Sequence, residues 1–165
     1  MRIETTLALA LALALAACAK GPSAAAPDPA AEGRAFLSKN AHAPGVIVTK
    51  DGLQYRILHS GPATGLKPKL ADEVKVDYEA KLLDGQVVDS SYERGQPAVM
   101  TVRDLVPGWQ EALQLMRPGD KWLIYLPPKL GYGDKGAGPI PSGAVLMFKL
   151  DLIDVLPDQS SVGRG

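Results

Sequence analysis

Histidine and cysteine are scarce in this chain, two and one among 165 residues. A structural or catalytic metal site draws on several converging nitrogen, sulfur or oxygen ligands. His42, His59 and Cys18 are too few and too scattered to build one, so no metal and no other cofactor is expected. The same scarcity argues against a Ser/His/Asp or Cys/His hydrolase, whose nucleophile needs a base within reach. His42 falls in an N-terminal arm, His59 precedes the turn residues Ser60-Gly61-Pro62, and no G-x-S-x-G elbow opens a helix. Net charge is missing too: 18 Lys plus Arg balance 18 Asp plus Glu, which leaves no general pull toward nucleic acid or an anionic membrane surface. No glycine-rich loop opens a helix after a strand, so phosphate cradling is unsupported, and the adjacent carboxylates Asp72-Glu73 read as solvated charge. The longest apolar run, from Leu7 to Ala17, is shorter than the ~20 residues that span a bilayer.

That run has a different reading. The chain opens MRIETTLALALALALAACAK, an Arg followed by a Leu/Ala stretch and then small residues, which is the pattern of a secretory signal. Two cleavages are open. Ala14-Leu15-Ala16 fits a small-x-small site, whereas Leu15-Ala16-Ala17-Cys18 resembles the lipobox of bacterial lipoproteins. A lone cysteine in an oxidising compartment has no internal partner, and lipidation at Cys18 accounts for it. Ala19 after the cysteine resembles lipoproteins that are sent on to the outer membrane. Residues 1–17 are thus expected to be a signal peptide and 18–31, rich in Pro, Ala and Ser, a flexible tether. Residues 32–48 form a short arm with a helix from Ala31 to Ala41, stopped by Pro44-Gly45, whose Phe36 and Leu37 can dock on a neighbour.

From Asp51 the periodicity changes to two. Leu53, Tyr55 and Ile57 alternate with polar residues, as do Val74, Val76, Tyr78, Ala80 and Leu82, and later Trp122, Ile124 and Leu126, then Leu146, Phe148, Leu150 and Leu152. Asp84-Gly85 supplies hairpin chemistry that returns the chain through Val87 and Val88. Trp109, Ala112, Leu113 and Met116 are spaced as one face of a helix, preceded by Pro107-Gly108 and closed by Arg117-Pro118-Gly119. Strands, one helix, then strands, with no repeat and no βαβ unit, predict an α+β domain in which a curved antiparallel sheet, a half-barrel, wraps one short α-helix. Its interesting residues are aromatic and aliphatic with an acid, an arginine and a tyrosine at their edge, the makeup of a small-ligand pocket. Between Leu130 and Ala144 runs a long Gly/Pro loop that offers Tyr132, and loops of that length are commonly functional.

From about Asp51 to Leu156 the sequence resembles the FKBP-type peptidyl-prolyl cis-trans isomerases. VDYEAKLLDGQVVDSS, LVPGWQEALQLMRPGD, YGD after LG, and IPSGAVLMFKLDLIDV follow in the order of that family's blocks, and bacterial forms with lipoprotein or macrophage-infectivity-potentiator-type extensions are most similar. The resemblance implies an isomerase domain over 49–157, with a disordered tail at 158–165. It implies Trp109 as pocket floor, with Tyr78 and Phe148 beside it and Val88, Met100, Leu105, Val106 and Ile140 as substrate-binding walls. Asp89, Tyr132 and the backbone of Val106 would supply polar contacts, and Arg94 would pair with Asp89. Ser90 and Ser91 would satisfy the strand end and turn rather than attack anything.

Val88 stands where the family usually carries Phe, Ala98 where a larger residue is common, and Met100 in place of an aromatic. Those departures imply a wider pocket and a modest isomerase; Ser142 and Gly131 imply a looser loop. The implied partners are proline-containing unfolded or nascent envelope proteins and macrocycles of the rapamycin and tacrolimus type. The implied setting is the outer membrane facing the periplasm through Cys18, or the periplasm itself, and the short arm implies a monomer. Two other readings stand beside catalysis: an FKBP-like chaperone or binding module with vestigial activity, and a structural envelope lipoprotein.

Overall fold

The computed structural model describes residues 28–158. The expected leader, Cys18, most of the tether and all of the expected tail beyond Asp158 lie outside these residues. In chain order the elements are α1 (Pro29–Asn40), β1 (Val46–Val48), β2 (Gln54–His59), β3 (Glu73–Lys81), β4 (Val87–Ser90), α2 (Ser91–Arg94), β5 (Ala98–Thr101), α3 (Pro107–Leu115), β6 (Lys121–Leu126) and β7 (Leu146–Leu156), with single 3-10 turns at Val102–Asp104 and Pro128–Leu130. The seven strands form one antiparallel sheet in the order β1-β2-β6-β7-β3-β4, with β5 also on β3. The α+β half-barrel around one short core helix is the architecture observed.

The alternating side chains of β3, β6 and β7 bury one face of the sheet, and α3 covers it with Trp109, Ala112 and Leu113, joined by its C-cap Met116, all 4% exposed or less. Burial on that scale is the dominant favourable term in folding. Pro107 sits in the first turn of α3, where its missing N–H costs nothing. Gly108 follows because the helix touches β6: a Cβ there would lie 2.5 Å from Leu126 Cγ.

Several expectations need correction. The tether does not reach residue 31, because α1 starts at Pro29 and Asp28 caps it by accepting from the Ala30 N–H at 3.0 Å. Around β2 the alternation holds for Leu53, which is buried, and Tyr55, which packs on the core, but not for its neighbours. Gln54 is buried, bonded to Asn40 at 2.9 Å and to the Leu37 carbonyl at 2.9 Å, while Ile57 is exposed beside a bulge. Asp72 is not solvated: it is buried and accepts from the backbone N–H of Lys69 and of Asp158, which ties the first residue of the expected tail to the sheet. The strands β1 and β5 were not foreseen.

One feature of the sheet positions the site. Along one edge of β3, β5 pairs up to Val76 and β4 begins at Glu79, so the ladder has a gap at Asp77-Tyr78. The α2 turn fills it. The Ser91 hydroxyl, fully buried, accepts from the Tyr78 N–H at 2.9 Å and donates to Asp77 Oδ1 at 2.7 Å, and Ser90 caps the same turn by accepting from the Glu93 N–H. Both serines act as the expected local partners. Ser91 is fully buried and Ser90 nearly so, each committed to local bonds.

Candidate functional site

A cavity of about 590 Å³ opens between the inner face of the sheet and α3. Its floor is a row of aromatic rings. Trp109 meets Tyr78 edge to face at 5.1 Å between centroids and Phe148 at 5.3 Å, the arrangement in which ring edges and faces attract. Each ring has its own support. Tyr78 comes from the middle of β3, Phe148 from β7, and Trp109 from the first turn of α3. Periodicity alone places all three in the core, and their exposures of 8, 6 and 4% agree.

Around this floor stand Val88 on β4, Met100 on β5, Leu105 and Val106 before α3, and Ile140 in the long loop, all partly buried and all lining the cavity. The Val106 carbonyl is taken by the N–H groups of Trp109 and Gln110, so the polar contact that its backbone can still offer a ligand is its N–H. Tyr132 lines the cavity from the loop and remains 42% exposed. Asp89 forms part of the wall at the β4 end. Arg94 is not a lining residue; it stands behind, where its guanidinium bonds Asp89 and reaches the Tyr78 hydroxyl at 3.0 Å.

The three polar groups form a closed set. The Tyr78 hydroxyl donates to one Asp89 oxygen while Arg94 takes the other. Burial by itself would raise the Asp89 carboxyl, but hydrogen bonds from Tyr78 and Arg94, together with the Arg94 charge, hold it below the usual carboxylate value. Burial and then the bond to Asp89 push the Tyr78 phenol up, so it stays protonated well above neutrality. Asp89 is therefore a fixed anion rather than a proton carrier. Its side chain is about half exposed, so water screens the ion pair and its contribution to stability is small.

Ala80, Asp104, Leu146 and the loop residues Ala137, Gly138 and Pro139 also line the cavity and were not foreseen. Ala80 and Leu146 share a strand face with Tyr78 and Phe148, so alternation could have found them. Asp104 and the loop residues carry no periodic signal. Ala98 packs against the core without lining the cavity. Among the described residues, no group of three or more His, Cys, Asp or Glu is placed to hold a metal, and no helix is long and apolar enough to cross a membrane. A largely apolar hollow with Asp89 immobilised, and with no Ser, Thr, Cys, Lys or His in its lining, can bind and desolvate a small ring but offers no hydroxyl or thiol paired with a histidine base.

Residues 65–153 match the family described as FKBP-type peptidyl-prolyl cis-trans isomerase, and residues 5–57 match the domain described as amino terminal to it. The second match crosses the stretch that composition divides into leader, tether and arm. The chain is 50% identical over 127 residues to peptidyl-prolyl cis-trans isomerase Mip of Coxiella burnetii, covering 76% of this chain and 54% of that protein. It is 46% identical over 126 residues to outer membrane protein MIP of Legionella longbeachae, covering 76% and 53%. It thus spans about half the length of these curated relatives. Among solved structures, FkpA from Escherichia coli superposes with a TM-score of 0.75 at 36% identity, covering 78% of this chain and 60% of that one. A peptidyl-prolyl cis-trans isomerase from Pseudomonas syringae gives 0.72 at 34% identity, covering 78% and 94%. Sequence blocks, half-barrel and aromatic-floored cavity agree with these matches, and the chain belongs to the family of FKBP-type peptidyl-prolyl cis-trans isomerases.

Proposed function

We propose that the chain is a peptidyl-prolyl cis-trans isomerase that turns Xaa-Pro bonds of envelope proteins without covalent chemistry. The observation that carries this reading is the cavity itself, floored by Trp109 between Tyr78 and Phe148, with Asp89 in its wall locked by hydrogen bonds to Tyr78 and Arg94. An Xaa-Pro amide has a small ground-state bias but a rotation barrier of about 18 to 20 kcal/mol, because twisting destroys its resonance. Water stabilises the planar, charge-separated form. Seating the proline ring on Trp109 removes that water, and walls fitted to a twisted imide bind the transition state better than the ground state. In this reading Tyr78, Asp89, Trp109, Tyr132 and Phe148 act on the reacting imide. Val88, Met100, Leu105, Val106 and Ile140 hold the flanking chain, and Arg94 holds Asp89. No step requires a cofactor.

The envelope location rests on the leader pattern and Cys18, supported by a relative whose name places it in the outer membrane. Lipid attachment at Cys18, a monomeric state and capture of rapamycin- or tacrolimus-type macrocycles belong to the same proposal. The test is cis-trans exchange of Xaa-Pro peptides followed by NMR. The expected result is catalysed exchange that a macrocycle of this type suppresses; unchanged exchange rates would overturn the reading. Val88, an aliphatic wall residue only half buried, favours one second reading, a binding module with weak catalysis. Val88→Phe separates the two. A ring contact adding about 1 kcal/mol at the transition state raises kcat/KM about fivefold, whereas a module that only binds gains affinity for proline peptides and no turnover.

A further inference from the structure

We propose that helix α1 is a working part of the site: Ala30 and Gly33 pack on the exit of the loop between β6 and β7 and are positioning residues for Tyr132 and Ile140. The proposal rests on the isomerase reading and adds a component to it.

The loop from Gly131 to Val145 carries one side of the cavity but has little to hold it. Gly133, Gly136, Gly138 and Gly143 all adopt positive φ, the region that glycine occupies without strain. Its internal bonds are the Ala137–Ile140 backbone pair, the Gly143 N–H to the Gly133 carbonyl at 3.0 Å, the Ala144 N–H to the Pro141 carbonyl at 3.3 Å, and Ser142 Oγ to the Asp134 carbonyl. Its entrance is pinned by the 3-10 turn, whose Pro128 carbonyl accepts from the N–H groups of Gly131 and Gly133. Its exit, Gly143 to Val145, is buried, and Val145 alternates with the core-facing Leu146 and so points to the opposite face of the sheet. There it meets α1.

The contact has no slack. A Cβ on Gly33 would lie 2.7 Å from Val145 Cγ2, and one on Gly143 would lie 2.8 Å from Ala30 Cβ. Glycine inside a helix costs about 1 kcal/mol relative to alanine, so helix propensity does not account for Gly33, whereas the close approach to Val145 does. The helix in turn is fixed to the sheet. Phe36 packs on Tyr125 at 5.6 Å between ring centroids, and Gln54 bonds both Asn40 and the Leu37 carbonyl. A rigid path therefore runs from the outer face of the sheet through Gly33 and Val145 to the loop that holds Ile140. Helix α1 lies within residues 5–57, matched to the domain amino terminal to the isomerase, and Val145 within residues 65–153, matched to the isomerase domain, so the contact joins the two.

The experiment uses Gly33→Leu in the full chain, which puts a better helix former into α1 while wedging it off Val145, and Gly33→Ala as a smaller step. The expected result for Gly33→Leu is a kcat/KM about tenfold lower, since displacing a positioning element by even an ångström costs rate heavily. Amide hydrogen exchange at Ala137, Ile140 and Gly143 should quicken while exchange at Ile124 and Leu150 in the core strands stays as in wild type. Adding Val145→Ala, which removes the obstructing methyl groups, should restore most of the rate and the slow loop exchange. The proposal is overturned by Gly33→Leu with wild-type kcat/KM and wild-type loop exchange, by loop and core exchange rising together, or by no rescue from Val145→Ala. If wild type fails to turn over any Xaa-Pro peptide, the isomerase reading falls, and the loop exchange still decides whether α1 holds the loop.

Discussion

Trp109 and Tyr132 face one cavity from supports of opposite kind. Trp109 is 4% exposed, wedged between two perpendicular rings on a helix whose first turn is pressed so close to β6 that only a glycine fits there. Tyr132 is 42% exposed on a loop whose glycines give it freedom and whose fixed points are at its ends. The sheet-and-helix half of the pocket is held by packed regular elements, while the loop half would, in the proposed isomerase, adapt to whatever chain flanks the proline. That division suits the proposed isomerase, whose reacting group is always the same imide and whose surrounding sequence varies.

The division can be tested by substitution, and the stiff side should give the largest effects. Trp109→Ala removes the floor. The expected loss is about 3–5 kcal/mol of stability, the usual cost of emptying a core aromatic site, with kcat/KM in the surviving folded fraction down about a hundredfold; denaturant melts paired with peptide exchange check both. A nearly normal rate would mean that the proline is seated elsewhere. Asp89→Leu leaves the Tyr78 hydroxyl and Arg94 without their shared acceptor, and a cost of about 1.4 kcal/mol at the transition state lowers kcat/KM about tenfold. Tyr132→Phe, on the adaptable side, removes one hydroxyl from a half-wet position and should cost only about threefold. A loss equal to that of Asp89→Leu would erase the distinction between the two halves.

The smallest expected effect is that of pH. Asp89 is held below its ordinary value and Tyr78 above its own, so neither titrates near neutrality and kcat/KM should stay flat between about pH 6 and 8. A lowered carboxyl value means that the folded state prefers the anion. Its contribution to stability is present above the ordinary carboxylate range and is lost only as pH falls through the lowered folded value. A bell-shaped rate profile would instead point to general acid-base catalysis.

The stiff half is also the half that could be read in the sequence. Alternation along β3, β6 and β7 and helical spacing along α3 report burial of side chains on regular elements, and the floor residues lie on those elements. The reading fails where a polar group is buried because a distant segment satisfies it. Gln54, one of the polar residues expected on the wet face, is buried because α1 supplies Asn40 and the Leu37 carbonyl, and Asp72 is buried because backbone N–H groups converge on it. Asp104 and the loop from Ala137 to Pro139 enter the cavity through irregular backbone, which leaves no period to detect. Gly33 looked like an ordinary arm residue because its reason for being glycine is a methyl group more than a hundred positions away.

The serine that plugs the gap in β3 has a consequence beyond the pocket. Unsatisfied backbone in the middle of a strand is adhesive toward extended polypeptide, and an isomerase acting as proposed would meet such polypeptide continually. With the Tyr78 N–H taken by the Ser91 hydroxyl, itself tied to the Asp77 carboxylate, that point of β3 is closed to strand addition, and Ser91→Ala is expected to show itself first as co-precipitation with unfolded polypeptide.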